Sequence, residues 1–411
     1  MSIRLSRRGW IAVLAGVPVA SGLRWGEAQP VGAHGEEELT AVELPPPLGE
    51  TDLRVYFADT GHSLGGVFLD YWRAGGGAAV YGGPISEPFA AANGYHSQAF
   101  ERTVLQYRPD YLFTVEPIIR SMPIGRALFA EPADTLLASG KRRGGDRRLA
   151  WAPLGPDSEA VARVVAEGGL FDEVSGHTIS GAFLDWYRAH EGDFILGAAL
   201  GEPVTEYGLL AQYFEGGRLQ FGPNGVALTP VGARLAQVLG IDTAPLEPGG
   251  LPLYDEALFH TGDNPNPLGD PAAVGPRRIE ISLGQQRLWA YQGETLVSSG
   301  LVSSGLAPHV TEQGVFRVRL KYPLQDMRGF TDATGEVVAV GADAPPGVAG
   351  YAVDDVPDVM YFNMEAEALH GAYWHNNFGW PTSHGCVNLP LDMARFLYGW
   401  APLGTRVSVY E

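Results

Sequence analysis

An amphipathic pattern of apolar and polar residues occurs twice in the first half of the chain. In residues 64–72 the apolar side chains are spaced three and four residues apart, which is the spacing of one face of an α-helix. The pattern returns in residues 179–187, within a longer similarity between residues 61–74 and 176–189. Ser63 or Thr178 precedes each apolar run, where a helix N-cap is expected. We therefore predict an internal repeat whose copies each open with an amphipathic helix.

Each copy continues with a glycine-rich segment that ends the helix and an acidic residue before proline (Glu87 or Glu202). Residues whose polar and apolar side chains alternate, as in β-strands, follow. The second copy has Gly216-Gly217 between two such runs, which is typical of a two-residue β-hairpin turn. The first copy carries the sequence QAFER at the equivalent place. The segments PIGR, from Pro123, and PVGA, from Pro230, are expected to begin a closing helix in each copy.

The repeat contains two histidines, His62 and His177, at identical positions before the helix. Because the same position recurs in both copies, a structural role is favoured over a metal-binding or catalytic one. The aromatic residues of the helix are likewise expected to pack in the core. An exposed surface that binds glycans is the alternative. Lys141 to Arg148 form a basic cluster between the copies, which is expected to be a solvated loop, with contact to an anionic wall polymer as the alternative.

The N-terminus has the form of an export signal. Arg4, Arg7 and Arg8 precede an apolar run from residue 10 to 19, which is too short for a comfortable membrane span. Cleavage after Ala28 is expected, with an uncleaved anchor as the alternative. The paired arginines also resemble a twin-arginine signal, so the Sec and twin-arginine routes both stay open. The sequence thus predicts a secreted, extracytoplasmic protein.

The composition excludes one class of partner. The formal net charge is −19, and removal of residues 1–28 would bring it near −22. Such a chain is not expected to bind nucleic acid, whose phosphates attract basic surfaces. It is not expected to adhere generally to an anionic surface either.

The chemistry is concentrated near the C-terminus, where Cys386 is the only cysteine of 411 residues. A lone cysteine is often a small buried apolar residue, but this one lies among histidines, which favours a nucleophile. A thiol needs a base, and His370 is the candidate, with His384 the poorer proton partner. The N–H groups of Gly385 and Cys386 are candidate oxyanion donors. Pro390 suits the start of a helix, whose dipole would help the thiolate modestly.

A zinc site is the alternative for this cluster of one cysteine and three histidines, because Zn²⁺ binds both residue types. The spacing of His370, His375 and His384 fits none of the usual zinc patterns, so neither a metal nor a cofactor is expected.

The run Ser-His-Gly-Cys-Val-Asn at 383–388, with His-Gly at 370–371, resembles the signature of the YkuD-type L,D-transpeptidase catalytic domain. The resemblance covers residues 278–411. Other segments follow in the expected order, namely 279–288 with a Gln-x-Leu motif, 297–305, 311–314, and the strand 356–362 before the histidine. The two N-terminal copies resemble, more weakly, repeats of secreted bacterial surface proteins.

The resemblance implies a role for each matched residue. Cys386 would be the nucleophile, His370 the general base and the Gly371 carbonyl the group that orients it. His384 would support the site, and the amides of Gly385 and Cys386 would form the oxyanion hole. The remaining motif or substrate-binding candidates are Ser383, Asn388, Trp374, Met360 and Phe362.

Two departures from the family pattern matter. The family usually has Thr-Pro-x-Gly where this chain has Thr311-Glu312-Gln313-Gly314, so the turn keeps its glycine without the proline. The interval between His370 and Ser383 is short for the family, which leaves His375 as the alternative base.

The implied activity is acyl transfer on peptidoglycan stem peptides. A donor tetrapeptide would lose D-alanine to form a thioester, and an acceptor amine would resolve it as a 3→3 cross-link. L,D-carboxypeptidase activity, with water as acceptor, is the enzymatic alternative. A non-catalytic wall-binding protein with an inert Cys386 site is the alternative from another class.

The predicted fold class is α+β, with a β-rich mixed sheet sandwich at the C-terminus preceded by two small α+β repeat units. Trp374 and Trp380 are expected to flank the groove of the sandwich. The predicted division of the chain is 1–28 signal peptide, 29–52 acidic Pro-rich leader, 53–140 repeat unit 1, 141–165 basic loop or linker, 166–240 repeat unit 2, 241–276 linker and 277–411 catalytic domain.

Overall fold

The computed structural model describes residues 53–111, 114, 116–123, 151–206, 208–331, 337–339 and 349–411. The predicted signal peptide and acidic leader lie outside the described residues, as do the basic cluster from Lys141 to Arg148 and most of the helix expected after Pro123. Within the described ranges, no helix combines the length and apolar character needed to cross a bilayer.

Two N-terminal segments share a central order of two strands, two helices and four strands. The first segment contains β1 (Arg54–Phe57), β2 (His62–Gly65), α1 (Gly66–Ala74), α2 (Gly77–Val80), β3 (Phe89–Ala90), β4 (His96–Ala99), β5 (Val104–Tyr107), a 3-10 turn (Pro109–Tyr111) and β6 (Ile119–Ser121). The second contains α3 (Glu159–Ala166), β7 (Leu170–Asp172), β8 (His177–Ile179), α4 (Gly181–Ala189), α5 (Gly192–Ile195), β9 (Val204–Glu206), β10 (Leu209–Phe214), β11 (Gly217–Gly222), β12 (Gly225–Leu228) and α6 (Gly232–Val238). Each segment pairs its first two strands and forms a four-stranded antiparallel sheet from the others.

The amphipathic helix is present in both segments, but it begins later than the sequence predicted. Ser63 and Thr178 lie in β2 and β8, and the helices begin at Gly66 and Gly181. Both glycines have a φ of +55°, a backbone conformation that residues other than glycine rarely adopt. The expected N-cap was therefore wrong, because the chain first completes a strand and then turns sharply into the helix.

The hydroxyls of Ser63 and Thr178 bind a distant glutamate instead. Glu87 accepts bonds from the Ser63 N–H at 2.9 Å and hydroxyl at 2.5 Å, and Glu202 accepts the same pair from Thr178 at 2.9 and 2.5 Å. His62 lies 3.6 Å from Glu87, and His177 lies 3.3 Å from Glu202. The two histidines thus take part in matching buried contacts, which is the structural role that the sequence favoured.

The β-hairpin of the second segment is confirmed, with its turn displaced by one residue. Phe214 pairs with Gly217, so the two residues of the turn are Glu215 and Gly216. Gln212 points inward from β10 and donates to the carbonyls of Thr178 and Gly201, at 2.6 and 3.0 Å. Gln98 on β4 makes the equivalent contacts in the first segment. The helix predicted after Pro230 is also present, as α6.

The C-terminal part contains two five-stranded mixed sheets. Its elements are β13 (Arg277–Ser282), β14 (Arg287–Gln292), β15 (Thr295–Leu301), β16 (Gly314–Arg317), β17 (Leu320–Thr331), β18 (Val337–Ala339), β19 (Ala349–Tyr361), β20 (Ala368–Gly371), β21 (Val387–Leu389), α7 (Leu391–Trp400) and β22 (Arg406–Tyr410). The strand orders are β15-β14-β13-β22-β16 and β18-β17-β19-β20-β21. Only the pairs β13–β22 and β20–β21 are parallel among the pairings described.

A single apolar core joins the two sheets. Ile279 and Val407 of the first sheet, with Leu369 and Val387 of the second, are fully buried in one cluster that also includes Leu397 of α7. Alternation along each strand sends every second residue into this core, which leaves the other face of β20 and β21 for different contacts. The α+β class and the β-rich C-terminal sandwich are thus as predicted.

The segment 241–276, predicted as a linker, packs closely on the first segment of the chain. Tyr254 pairs through its N–H with the Tyr56 carbonyl at 3.0 Å, and its ring stacks on Phe57 with centroids 4.9 Å apart. Its one helical turn (Glu256–Phe259) carries Glu256, which binds both Arg73 of α1, at 2.6 Å, and Arg277 of β13, at 2.8 Å. This ion triad ties the first segment to the C-terminal sheets.

The second segment is tied to the sheets by a separate contact. Arg317 of β16 binds Glu191 at 2.8 Å and lies 3.8 Å above the centroid of the Phe194 ring. Glu191 is buried and adopts a φ of +51°. Both N-terminal segments therefore contact the sheet sandwich through buried charged pairs rather than through a flexible connection.

We expect Glu256→Ala to destabilise the protein by about 2 to 3 kcal/mol, because Arg277 would be left buried without a counter-charge and Arg73 would keep only Asp70, 4.0 Å away. Both arginine side chains are almost fully buried, whereas one third of the Glu256 side chain is exposed. Partial exposure places the cost below that of a fully buried pair. Burial raises the pKa of Glu256, but the charges of Arg277 and Arg73 outweigh it and lower that pKa to about 2.

Urea denaturation at neutral pH measures this effect. Glu247→Ala is the matched control, because Glu247 lies exposed in the same connecting segment. Equal free energies of unfolding for the two variants would contradict the role given to the triad.

Candidate active site

The parallel pairing of β20 with β21 brings the predicted nucleophile and base to one face of the second sheet. His370 is paired with Asn388, and Leu369 with Val387. Cys386 precedes Asn388 by two residues, so alternation places it on the same face as Asn388 and His370. Leu369 and Val387 point the other way, into the core. Two separate segments of the chain thus present a thiol and an imidazole on one face of the sheet.

The imidazole of His370 is buried and fixed by its own neighbour. Nδ1 lies 3.0 Å from the carbonyl oxygen of Gly371, which assigns the donated proton to Nδ1 in the neutral ring. Burial, with a smaller contribution from His375, lowers the pKa of His370 to about 4. The hydrogen bond with the Gly371 carbonyl acts in the opposite direction. The ring is therefore neutral at pH 7, with Nε2 able to accept a proton.

The Cys386 side chain is partly buried against Ala368, Val356 and Val359. Burial, together with the charge of Glu367, raises the pKa of the thiol to about 12. A hydrogen bond with the Ala368 backbone acts in the opposite sense. The thiol is thus protonated at neutral pH. The modest help expected from the dipole of α7 is outweighed by the loss of solvation.

Gly385 forms a tight turn just before the thiol. Its φ is +119°, and a Cβ at this position would lie 2.9 Å from a carboxylate oxygen of Glu367, so only glycine fits. The Thr311 hydroxyl donates to the Gly385 carbonyl at 2.7 Å. The Ser383 hydroxyl donates to the carbonyl of Cys386 and accepts the Gly385 N–H at 3.2 Å. The Gly385 amide is therefore engaged within the turn, which is at odds with its expected role as an oxyanion donor.

His375 and Asn388 contact each other beside the site. The Asn388 carboxamide lies 2.8 Å from Nε2 of His375, and the Asn377 N–H donates to Nδ1 at 3.1 Å. Both ring nitrogens of His375 are thus engaged, which disfavours it as the alternative base. Asn388, whose role the sequence left open, holds this second histidine in place.

His384 is exposed and lies next to His309, with ring centroids 4.9 Å apart. Burial of the ring and the nearby His309 lower its pKa. Its place on the surface of the turn fits the prediction that it is a poorer proton partner for the thiol than His370.

Aromatic side chains form an exposed rim next to His370. The Trp374 ring is tilted over His370 with centroids 5.7 Å apart, and Tyr373 packs edge-on against Trp374. Trp374 is 40% exposed and Trp380 is 73% exposed, so both are accessible to a ligand.

Met360 and Phe362, by contrast, were wrongly expected to contact substrate. Both side chains are fully buried in the core between the sheets, on the face of β19 and its continuation opposite to Cys386. They can affect the site only through packing.

The sequence did not single out Glu367, whose carboxylate lies against Gly385, or Asn363, which binds that carboxylate. Glu367 lies three residues before His370, and its carboxylate accepts the N–H of Glu312 and the amide of Asn363. The available signal was an acidic residue at the start of a strand that is otherwise apolar. The segment 303–305 also encloses the site, because Ser303 forms a β-bridge with Asn388 and Gly305 forms one with Ser383.

Any metal would have to be held by a group of three or more His, Cys, Asp or Glu side chains. The described part of the chain contains no such group.

Comparison with known proteins identifies the C-terminal part. The family model of YkuD, the L,D-transpeptidase catalytic domain, matches residues 276–409. A search of curated protein sequences returned no significant match.

Several solved L,D-transpeptidases are similar to this chain. One from Stackebrandtia nassauensis is 22% identical, over 33% of this chain and 55% of its own, with a TM-score of 0.24. The catalytic domain from E. faecium is 25% identical, over 32% of this chain and 95% of its own, with a TM-score of 0.27. L,D-transpeptidase 3 from Mycobacterium tuberculosis is 18% identical, over 34% of this chain and 66% of its own, with a TM-score of 0.28.

The chain thus spans little more than half the length of the Stackebrandtia nassauensis protein. The assignment rests on the family match, which covers the strands and the turn that carry Cys386 and His370. The C-terminal part, residues 276–409, is thus similar to the YkuD family of L,D-transpeptidase catalytic domains.

Proposed function

We propose that this protein is a peptidoglycan L,D-transpeptidase that forms 3→3 cross-links through a thioester on Cys386. The observation that carries the proposal is the placement of Cys386 and His370 on one face of adjacent parallel strands, with the His370 ring held by the Gly371 carbonyl. A nucleophile, a base and a group that orients the base are the parts that acyl transfer by a cysteine needs.

In the first half of the reaction, the Cys386 sulfur attacks the amide carbonyl between the third residue of a stem peptide and its terminal D-alanine. Nε2 of His370 accepts the thiol proton as the S–C bond forms, and returns it to the departing amine as the C–N bond breaks. D-Alanine leaves with that proton, and the acyl group stays on the sulfur. Because Ser383 engages the Gly385 amide, the N–H of Cys386 is the oxyanion donor we assign.

In the second half, an amine of a neighbouring stem attacks the thioester carbonyl. His370 takes a proton from the attacking nitrogen, the C–S bond breaks, and the thiolate recovers the proton. The product is an amide between the third residues of two stems. Water in place of the amine would give a tripeptide, which is the carboxypeptidase reaction.

The electrostatics favour a neutral resting pair over a preformed ion pair. The pKa of the thiol is raised to about 12 and that of His370 is lowered to about 4, both chiefly by burial. Proton transfer must therefore accompany attack on the substrate, rather than precede it. Such a site holds the thiol unreactive until a substrate carbonyl is in place.

We further propose that the protein is secreted and acts in the cell wall or periplasm, where peptidoglycan stem peptides are found. The two N-terminal segments, which we propose as repeat units, are held against the catalytic domain by Arg73 and Arg317. We propose that they act as a rigid extension of the enzyme, through which wall polymer is contacted.

We expect full-length protein incubated with disaccharide-tetrapeptide to yield a cross-linked dimer lacking one D-alanine, detected by mass spectrometry. Cys386→Ala should abolish the product, because no thioester can form. His370→Gln should reduce the rate by about 100-fold or more, the usual contribution of a general base. Asn377→Ala, on the exposed loop beyond the rim, is the matched control and should retain activity.

The other outcomes separate the alternatives. Tripeptide without dimer would mean carboxypeptidase activity. No product together with no carbapenem-derived mass increase on Cys386 would contradict the enzyme and favour a wall-binding protein with an inert site.

We expect the acid limb of the pH–rate profile to lie near pH 4 rather than near 6.5, the usual pKa of histidine. Burial lowers the pKa of His370 to about 4, so the ring loses its function as a base only as the pH falls through that value. Initial cross-linking rates from pH 3 to pH 7, with circular dichroism to establish that the fold persists, measure the limb. A loss of activity centred at pH 6 to 7 would argue against His370 as the base.

A further inference from the structure

A carboxyl group that the reaction does not use lies against the turn of the nucleophile. Glu367 accepts the Glu312 N–H through both oxygens, at 3.1 and 3.0 Å, and the Asn363 amide at 2.7 Å. Asn363 in turn accepts the N–H of Glu367 at 2.9 Å, so the side chain and backbone of this residue are both fixed. Glu367 thus connects the turn before β16 to the start of β20.

The same carboxyl group reaches the residue next to Cys386. One of its oxygens lies 2.9 Å from the position where a Cβ of Gly385 would stand. Ala368, which follows Glu367 directly, is hydrogen-bonded through its backbone to the Cys386 side chain. Glu367 therefore lies against the turn and binds Glu312, the neighbour of the Thr311 whose hydroxyl binds the Gly385 carbonyl. Its charge also acts on the Cys386 thiol.

Glu367 has no counter-charge. No Lys, Arg or His forms an ion pair with it in the described parts of the chain, and the charged groups that act on it are Glu312 and Glu365. Cys386 is the titratable group that faces it from the turn before β21. Burial, and then the two glutamates, raise the pKa of Glu367 to about 7 against the opposing hydrogen bonds. Its charge therefore changes within the neutral range.

This arrangement depends on a residue in which the chain departs from the family pattern. Glu312 occupies the place of the usual proline in the Thr-Pro-x-Gly turn. A proline has no N–H and could not bind Glu367, whereas Glu312 supplies the donor and adds a like charge nearby. Glu312 thus supplies both a hydrogen-bond donor and a like charge to Glu367.

We propose that Glu367 is a positioning residue for the proposed acyl transfer, which fixes the Gly385 turn and sets the negative charge that the Cys386 thiol experiences. The inference rests on the proposed function for its catalytic consequence, but its effect on the thiol is measurable without any substrate. When Glu367 is ionised it opposes thiolate formation, and when it is neutral that opposition is removed.

Glu367→Gln separates charge from position. A glutamine oxygen at the place of Oε2 keeps the bonds from Glu312 and Asn363, while the charge is removed. Cys386 is the only cysteine, so alkylation of the whole protein by iodoacetamide reports this thiol alone. We expect alkylation of Glu367→Gln between pH 7 and 9 to be faster than that of wild type by about threefold or more, because the neighbouring charge is gone.

Two further variants complete the experiment. Glu365→Gln is the matched control, because it removes an exposed charge two residues away without altering the contacts of Glu367, and its alkylation should stay closer to wild type. Glu367→Ala removes charge and contacts together. We expect it to alkylate readily but to form cross-links at least about tenfold more slowly than Glu367→Gln, since the Gly385 turn is no longer held.

Two results would overturn the inference. One is a pH profile of alkylation that is the same in Glu367→Gln and wild type, and the other is equal cross-linking by Glu367→Gln and Glu367→Ala. If no variant and no wild-type protein forms cross-links, but Glu367→Gln still alkylates faster, the charge effect stands and the proposed function fails. Thermal unfolding of each variant shows that the compared proteins are folded.

Discussion

The parallel pairing of β20 with β21 is the constraint on which the candidate site depends. It fixes which residue of one strand faces which residue of the other, so His370, Cys386 and Asn388 share a face. A slip of one residue would send Cys386 into the core and Val387 to the surface. Leu369, Val387 and Leu389 are fully buried on the opposite face of the strands, and their burial holds the register. The apolar core thus determines the geometry of the chemistry.

Burial then sets the chemical state of that pair. It disfavours both the thiolate of Cys386 and the imidazolium of His370, so the site rests as two neutral groups. The Gly371 carbonyl compensates by holding the His370 ring in one tautomer. Glu367 adds a negative charge on the side of the thiol, and the Glu312 N–H binds its carboxylate there. The local environment therefore tunes the residues that the motif provides.

The N-terminal segments and the sheet sandwich are connected by buried charges. Glu256 lies between Arg73 and Arg277, and Arg317 binds Glu191. A buried ion pair costs desolvation and tolerates few geometries, so it favours one relative placement of the parts it joins. Such contacts make the segment 241–276 a structural component and not a passive connection.

The sequence by itself determined which residues are candidates for the chemistry and which elements to expect in the N-terminal segments, because motifs and periodicity are local properties. His370, Cys386, the amphipathic helices and the hairpin were all predicted from neighbouring residues. Only the tertiary structure decided where the helices begin, since Glu87 and Glu202 bind Ser63 and Thr178 from 24 residues away. It also buried Met360 and Phe362, engaged the Gly385 amide and brought Glu367 to the thiol. These features depend on contacts between distant residues, which local patterns do not encode.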